Sequence, residues 1–149
     1  MVAVIQRVSR AGVAVDEKPV SEIGKGLLVL LGVAQGDARE HAELLAKKTA
    51  ELRVFEDEAG KMNLSALDVG GEILVVSNFT LCADCSHGRR PSFIKAAAPE
   101  KAELLYAAYA DALTERGVKK VATGVFGGYM EVSMKGDGPV TICLDTDRL

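Results

Sequence analysis

Side chains at the start of the chain alternate between two faces. Residues 2–7 follow a two-residue period, Gly12 interrupts it, and Val13 and Val15 resume it. A two-residue period is typical of a β-strand, and an isolated glycine between such segments is a turn signal. We therefore predict a strand, a turn at Gly12 and a second strand.

Two segments place apolar residues at helical spacing. The first runs through residues 38–52 after Asp37, a residue type that favours the N-cap position. The second lies between Pro99, in its first turn, and Gly117, just beyond its end. We predict one helix in each segment.

The remaining apolar runs predict strands. Residues 26–34 and 73–81 are almost continuously apolar, as expected of strands buried on both faces. Residues 118–123, 130–134 and 140–144 predict three further strands, with Gly136-Asp137-Gly138 as the last turn. Two helices cannot cover both faces of so large a sheet. We therefore expect a single domain, 1–149, of the α+β class, with sheet packed on sheet (partly barrel-like) and two helices covering one side.

Composition narrows the possible partners. The net charge of −3 is unfavourable for a protein that grips long stretches of nucleic acid, although it permits contact with a few terminal nucleotides. The longest apolar run is far too short to span a bilayer. Three cysteines, an odd number, argue against a secreted disulfide framework. We expect a cytoplasmic protein with no membrane partner and no DNA partner.

The common hydrolase and nucleotide-binding motifs are missing. The chain has no G-x-S-x-G elbow, no H-E-x-x-H and no P-loop. Cys82, Cys85 and His87 form a possible metal-binding cluster, for which Asp84 or Cys143 would have to supply a further ligand. A metal-dependent hydrolase is therefore one alternative. We expect no cofactor and no metal, because no second C-x-x-C pair completes the set.

Two short segments carry candidate chemistry. Ser77-Asn78-Phe79-Thr80 places polar side chains at the end of an apolar strand. Buried polar groups are costly unless they have partners, and strand ends are common ligand sites. Gly138-Pro139-Val140-Thr141 joins a flexible residue to a rigid one near the end of the chain.

Together these segments resemble the D-aminoacyl-tRNA deacylase family. The resemblance extends over nearly the whole chain, and the order of its pieces makes it specific. Its other pieces are Ala3-Val4-Ile5-Gln6-Arg7-Val8, Gly26-Leu27-Leu28-Val29-Leu30-Leu31-Gly32-Val33, Arg53-Val54-Phe55-Glu56-Asp57, Gly60-Lys61-Met62-Asn63-Leu64-Ser65 and Gly88-Arg89-Arg90-Pro91-Ser92-Phe93.

The resemblance implies a homodimer with a chiral filter. In the family the bond equivalent to Gly138–Pro139 is cis, and this motif enters the active site of the other subunit. Its main-chain carbonyls face the substrate's α-amino group, so that an L-side chain collides with them and is rejected. Glycine has no side chain to reject, so glycine mischarged on the tRNA for alanine is a further expected substrate. Arg7 matches the arginine that holds the motif in place, and Val140 and Thr141 complete the filter.

The resemblance also implies a substrate and a set of catalytic residues. The expected substrate is the 3′ end of a D-aminoacyl-tRNA, whose ester is hydrolysed as a proofreading step in translation. Catalytic roles fall on Ser77, Asn78, Phe79 and Thr80, with backbone N–H groups stabilising the oxyanion. Thr80 lacks an adjacent base in sequence, so we favour activation of water with help from the substrate's 2′-hydroxyl.

Some family features are matched less closely. Phe126 and Met130 match positions beneath the substrate's adenosine. Asn78 stands where the family usually has Gln, and Gly136 where it often has Asn. These departures leave two alternatives open: a catalytically weak, dimeric module that binds tRNA ends, and a deacylase of mischarged L-aminoacyl-tRNA, for which a trans Gly–Pro bond is expected.

Overall fold

A long first strand organises the sheet. In the computed structural model, which describes residues 1–149, β1 runs from Val2 to Val15 without a break. The turn predicted at Gly12 is wrong. Gly12 pairs with β2 (Lys18–Ile23) on one edge and with β8 (Glu131–Asp145) on the other, and these two ladders hold it extended. The chain reverses at Asp16 and Glu17, whose φ angles of 50° and 62° suit a two-residue hairpin turn.

Eight strands, three helices and two short 3₁₀ turns make up the structure. The other strands are β2 (Lys18–Ile23), β3 (Gly26–Gly32), β4 (Phe55–Glu56), β5 (Met62–Leu64), β6 (Glu72–Ser77), β7 (Lys120–Thr123) and β8 (Glu131–Asp145). The helices are α1 (Arg39–Ala50), α2 (Ala66–Val69) and α3 (Pro99–Glu115), and the 3₁₀ turns span Phe79–Cys82 and Thr146–Arg148. None of the helices is both long enough and apolar enough to cross a membrane.

Six strands form one mixed, curled sheet. Their order is β2-β1-β3-β6-β7. β2 and β3 pair with different parts of β1, and β8 pairs with β1 along its other edge. The β3–β6 and β6–β7 pairs are parallel and the others are antiparallel. The sheet curls until the Lys120 ammonium of β7 donates to the Glu22 carbonyl of β2 at 2.7 Å. The predicted α+β class with a partly barrel-like sheet is confirmed.

Apolar side chains fill both sides of this sheet. On one side, α1 and α3 pack on β1, β3 and β6, and the buried tyrosine Tyr109 joins the two helices through a 2.8 Å hydrogen bond to Thr49. On the other side, a smaller cluster closes the curl between β1, β2, β3 and β6. Both predicted helices are present on one side of the sheet, and α2 adds a single turn that the sequence pattern did not indicate.

Asp37 does not cap α1 as predicted. The N-cap is Ala38, whose backbone N–H donates to Nδ1 of His41 at 3.0 Å. The Asp37 carboxylate instead accepts from the Ala34 N–H and from the Met1 amino group, both at 2.6 Å. The nearby charged amino group attracts the carboxylate more strongly than a neutral helix N–H would.

β8 contains the segment predicted as the last turn. That prediction is wrong, since the strand continues through Gly136-Asp137-Gly138. Its register against β1 changes from the pair Gln6–Thr141 to the pair Val8–Gly136, so β1 advances two residues while β8 advances five. The extra residues form a bulge around Pro139 at the outer edge of the sheet.

Candidate active site

A pocket of about 460 Å³ opens where β3 and β6 end beside α3. These two strands are parallel, so their carboxyl ends meet at the same edge of the sheet. Most of the lining is apolar. The lining residues are Leu31, Val33, Ser77, Asn78, Phe79, Ala96, Ala97, Pro99, Ala102, Tyr106, Phe126, Gly127, Gly128 and Met130.

The strand-end segment forms one wall of this pocket. After β6 the chain turns into the 3₁₀ turn, and the Asn78 N–H donates to the Leu31 carbonyl at 2.8 Å. Gly32 allows this close approach, since a Cβ there would lie 2.9 Å from the Leu81 Cβ and 3.2 Å from the Asn78 carbonyl oxygen. Ser77, Asn78 and Phe79 are thereby held at the pocket.

The same turn leaves backbone donors free at its start. The first N–H groups of a helical turn have no partner within it, and here they belong to Phe79 and Thr80. The Asn78 N–H is already bonded to β3 and cannot serve. The Thr80 hydroxyl donates to the Asn78 side-chain oxygen. An amide oxygen does not take up a proton at neutral pH, so this contact orients the hydroxyl without activating it.

The lining contains no carboxylate, histidine, lysine or arginine. Its one titratable side chain is Tyr106, whose hydroxyl donates to the Val75 carbonyl at 2.8 Å. Burial raises the pKa of this hydroxyl above its usual value, so it stays neutral. The pocket therefore offers hydrogen-bond donors but no side-chain general base.

Phe126 and Met130 form the opposite wall. The Phe126 ring lies 5.8 Å from the Tyr106 ring, centroid to centroid. The Met130 sulfur accepts from the Val125 N–H at 3.3 Å, and a Cβ on Gly124 would lie only 2.6 Å from that sulfur. Gly124 is thus required for Met130 to take this position.

Thr80 follows Phe79 in the 3₁₀ turn but is not part of the lining, and Arg7 lies on β1. The other predicted site residues lie on the bulge of β8. Gly138, Pro139, Val140 and Thr141 do not line the pocket of their own chain. Gly138, Pro139 and Thr141 are exposed, Val140 is half-buried, and the Gly138–Pro139 bond is cis. The structure therefore separates the predicted site into a pocket and an exposed tip.

Arg7 anchors this tip from beneath. Its side chain is 8% exposed, and its Nε donates to the Asp137 carbonyl at 2.9 Å. Its Nη1 donates to the Val54 carbonyl at 2.6 Å, and Nε lies 3.3 Å from the Asp137 carboxylate. One buried guanidinium thus ties the base of the tip to the segment before β4.

Arg7→Ala is expected to destabilise the fold and loosen the tip. The Val54 and Asp137 carbonyls lose a charged donor in a largely buried position, which should lower the free energy of unfolding by about 1–3 kcal/mol. Urea denaturation measures this loss. Arg7→Lys is the matched control, because it keeps the charge but not the forked geometry, and should recover only part of the stability. An unchanged unfolding midpoint in Arg7→Ala would contradict the anchoring role.

The cysteine and histidine cluster is not assembled as a metal site. Cys82 is buried, whereas Cys85 and His87 are exposed, and no group of three or more candidate ligands comes together. Burial also raises the pKa of the Cys82 thiol, which disfavours the thiolate that binds metals. The metal-dependent alternative therefore has no geometric support.

Sequence patterns missed much of the lining. Tyr106 belongs to the apolar stripe of α3, and its spacing indicates a core position, which it also occupies. No sequence pattern predicted that Gly127 and Gly128 line the pocket. The signal that could have marked Tyr106 is chemical, since a buried tyrosine hydroxyl needs a hydrogen-bond partner near the strand ends.

Comparison with known proteins agrees with this arrangement. The family model described as D-Tyr-tRNA(Tyr) deacylase matches residues 4–145. The chain belongs to the D-Tyr-tRNA(Tyr) deacylase family. Two relatives named D-aminoacyl-tRNA deacylase are 57% identical (Syntrophotalea carbinolica) and 58% identical (Thermomicrobium roseum) over 149 residues, covering 100% of this chain and 99% and 96% of theirs.

Solved structures match the fold of this deacylase family member. A protein named c-Myc DNA Unwinding Element Binding Protein superposes with a TM-score of 0.92 at 42% identity, covering 97% of this chain and 98% of that one. A probable eukaryotic D-amino acid tRNA deacylase gives a TM-score of 0.84 at 16% identity, covering 96% and 97%. The predictions of family membership and of a deacylase enzyme that hydrolyses an ester bond are confirmed.

Proposed function

We propose that this protein hydrolyses the ester of D-aminoacyl-tRNA, and of glycine mischarged on the tRNA for alanine, while it rejects L-aminoacyl-tRNA. The observation that carries the proposal is the pairing of a pocket whose wall begins a 3₁₀ turn with free backbone N–H groups and an exposed Gly138-Pro139 tip that its own chain leaves unused. A site of this kind recognises a substrate by its shape and its carbonyl group.

The pocket supports hydrolysis that the substrate assists. Water adds to the ester carbonyl carbon, and the Phe79 and Thr80 N–H groups stabilise the negative charge that develops on the carbonyl oxygen. The bond to the ribose oxygen then breaks, and that oxygen takes up a proton as free tRNA and the amino acid leave. Because the lining has no general base, the neighbouring ribose 2′-hydroxyl is the group left to position the water.

The tip supports a site shared between two protomers. β8 pairs with β1 along one edge only, and nearly all residues of its first half are exposed. An exposed edge strand presents unpaired N–H and C=O groups that can pair with another chain. We propose a homodimer in which the tip of one protomer enters the pocket of the other, where Gly138 and Pro139 present their carbonyls to the substrate's α-amino group. An L-side chain would collide with this backbone, whereas a D-side chain or glycine would not.

The name of one solved relative refers to a DNA element. The acidic balance of the present chain, −3, is unfavourable for contacts along a DNA duplex. We retain a tRNA end as the proposed partner.

The deciding experiment compares matched esters. Pure protein is incubated with D-Tyr-tRNA, L-Tyr-tRNA and Gly-tRNA(Ala), and loss of each ester is followed over time. We expect rapid loss of the D-tyrosyl and glycyl esters and none of the L-tyrosyl ester beyond the spontaneous rate.

The other outcomes identify the alternatives. Hydrolysis of the L-tyrosyl ester at a comparable rate would indicate the deacylase of mischarged L-aminoacyl-tRNA. Binding of the tRNA without any turnover would indicate the module that only binds tRNA ends.

A further inference from the structure

Tyr129 is an exposed aromatic residue next to the pocket lining. Its side chain is 96% exposed, the largest value among the exposed large hydrophobic residues. It lies in the loop between β7 and β8, directly between Gly128 and Met130, both of which line the pocket. Its backbone therefore adjoins the pocket, although Tyr129 itself is not part of the lining.

The other two tyrosines differ sharply from Tyr129. Tyr106 and Tyr109 are buried, and their hydroxyls are bonded to the Val75 carbonyl and to Thr49, each at 2.8 Å. The Tyr129 hydroxyl forms no hydrogen bond, and its ring forms no aromatic pair. Single exposed apolar residues are ordinary on protein surfaces. Tyr129 differs from an ordinary exposed residue because it lies beside the proposed substrate pocket.

The size of the pocket indicates what reaches Tyr129. A volume of about 460 Å³ suits one aminoacyl-nucleoside. The assignment of a ligand to Tyr129 rests on the proposed function. If the terminal adenosine and its amino acid occupy the pocket together with the partner's tip, the preceding unpaired nucleotides of the tRNA lie outside it. Unpaired bases bind proteins mainly by stacking on aromatic rings.

The charge of the chain favours the same ligand. A net charge of −3 is unfavourable for RNA binding that depends mainly on phosphate contacts. Stacking on an exposed ring supplies affinity without positive charge. We propose that Tyr129 is a stacking platform for the unpaired nucleotide next to the terminal adenosine of the substrate.

A kinetic comparison of two substrates tests this role. Tyr129→Ala is expected to raise KM for D-Tyr-tRNA about tenfold, which corresponds to about 1.4 kcal/mol, with kcat unchanged. Hydrolysis of 3′-O-D-tyrosyl-adenosine, which lacks the preceding nucleotides, should be unaffected. Tyr129→Phe keeps the ring and should behave as the wild type. Leu104→Ala is the matched control, since Leu104 on α3 is 72% exposed and does not line the pocket.

Tyrosine fluorescence gives a test that does not depend on catalysis. The chain has no tryptophan and three tyrosines, of which only Tyr129 is exposed. The ribotrinucleotide CpCpA should quench the emission of the wild type more strongly than that of Tyr129→Phe, in which Tyr106 in the pocket lining still reports on the terminal adenosine. This separates the two ideas: failure of ester hydrolysis with quenching intact would remove the proposed function but not the stacking site.

Three results would overturn the stacking role. One is an equal KM effect of Tyr129→Ala on both substrates. Another is quenching of the wild type no stronger than that of Tyr129→Phe at saturating trinucleotide. The third is dissociation of the Tyr129→Ala protein into monomers in sedimentation, which would place Tyr129 in a contact between copies of the chain.

Discussion

Gly138→Ala is expected to slow hydrolysis of D-Tyr-tRNA about 100-fold and so to weaken the preference for D-tyrosyl over L-tyrosyl esters. Gly138 has φ +150°, which side chains rarely allow, and an added Cβ would lie 2.4 Å from the Val140 nitrogen. The tip must therefore shift, and displacement of a positioning group by about 1 Å can change rates about 100-fold. We expect the D-to-L rate ratio to fall by about two orders of magnitude, measured with D-Tyr-tRNA and L-Tyr-tRNA in parallel.

Gly136→Ala is the matched control for this substitution. Gly136 also lies on β8, but a Cβ there meets nothing within 4 Å and the residue has no positive φ. Its rate ratio should stay close to the wild-type value. If Gly138→Ala kept full discrimination while the tip had moved, the tip would not be the chiral filter.

Phe79→Pro is expected to lower kcat about 100- to 1,000-fold, the usual effect of losing one oxyanion donor. Proline removes the backbone N–H but fits the first position of a helical turn, where Phe79 stands. Single-turnover hydrolysis of D-Tyr-tRNA measures the change.

Two controls separate this backbone effect from the side chains. Phe79→Ala removes the ring, together with its edge-to-face contact with Phe93 at 5.1 Å, but keeps the N–H. Thr80→Val removes the hydroxyl and keeps its own N–H. Both should retain most of kcat. A large loss in Thr80→Val with a normal Phe79→Pro would instead make the Thr80 hydroxyl the reacting group.

These two variants together test the shared site. Gly138→Ala protomers keep an intact pocket, and Phe79→Pro protomers keep an intact tip. A mixed dimer therefore has one complete site if the tip acts on the partner's pocket, and none if it acts on its own. Random mixing should restore about a quarter of wild-type activity toward D-Tyr-tRNA, since about half of the dimers are mixed and each has one of two sites. No recovery, with exchange of protomers verified, would refute the cross-subunit arrangement.

Local sequence patterns predicted most of the elements. Helix α3 begins at Pro99 and ends before Gly117, as these two residues predict. The fixed φ of proline and the left-handed conformation of glycine both act within a single turn of the helix. Strand β6, which ends at Ser77, follows from an apolar run long enough to be buried on both faces. The strand-end motif itself was visible as polar residues that interrupt such a run.

The predictions failed where pairing between distant strands outweighs a local signal. The local pattern predicts a turn at Gly12 and another at Gly136. Gly12 instead lies within β1 and Gly136 within β8, and these two long strands pair with each other. The ladder satisfies the backbone hydrogen bonds of both segments, so a break at either glycine would leave polar groups without partners.

The sequence by itself determined most of the elements, the family resemblance and the residue types at the site, because each depends on neighbours along the chain. Only the tertiary structure decided that β3 and β6 end at one pocket and that Tyr106 and Phe126 close it. It also decided that Arg7 holds Asp137, 130 residues away, and that the Gly138 tip lies outside its own pocket. These contacts join residues far apart in sequence, and they follow from strand register and packing, which no local pattern records.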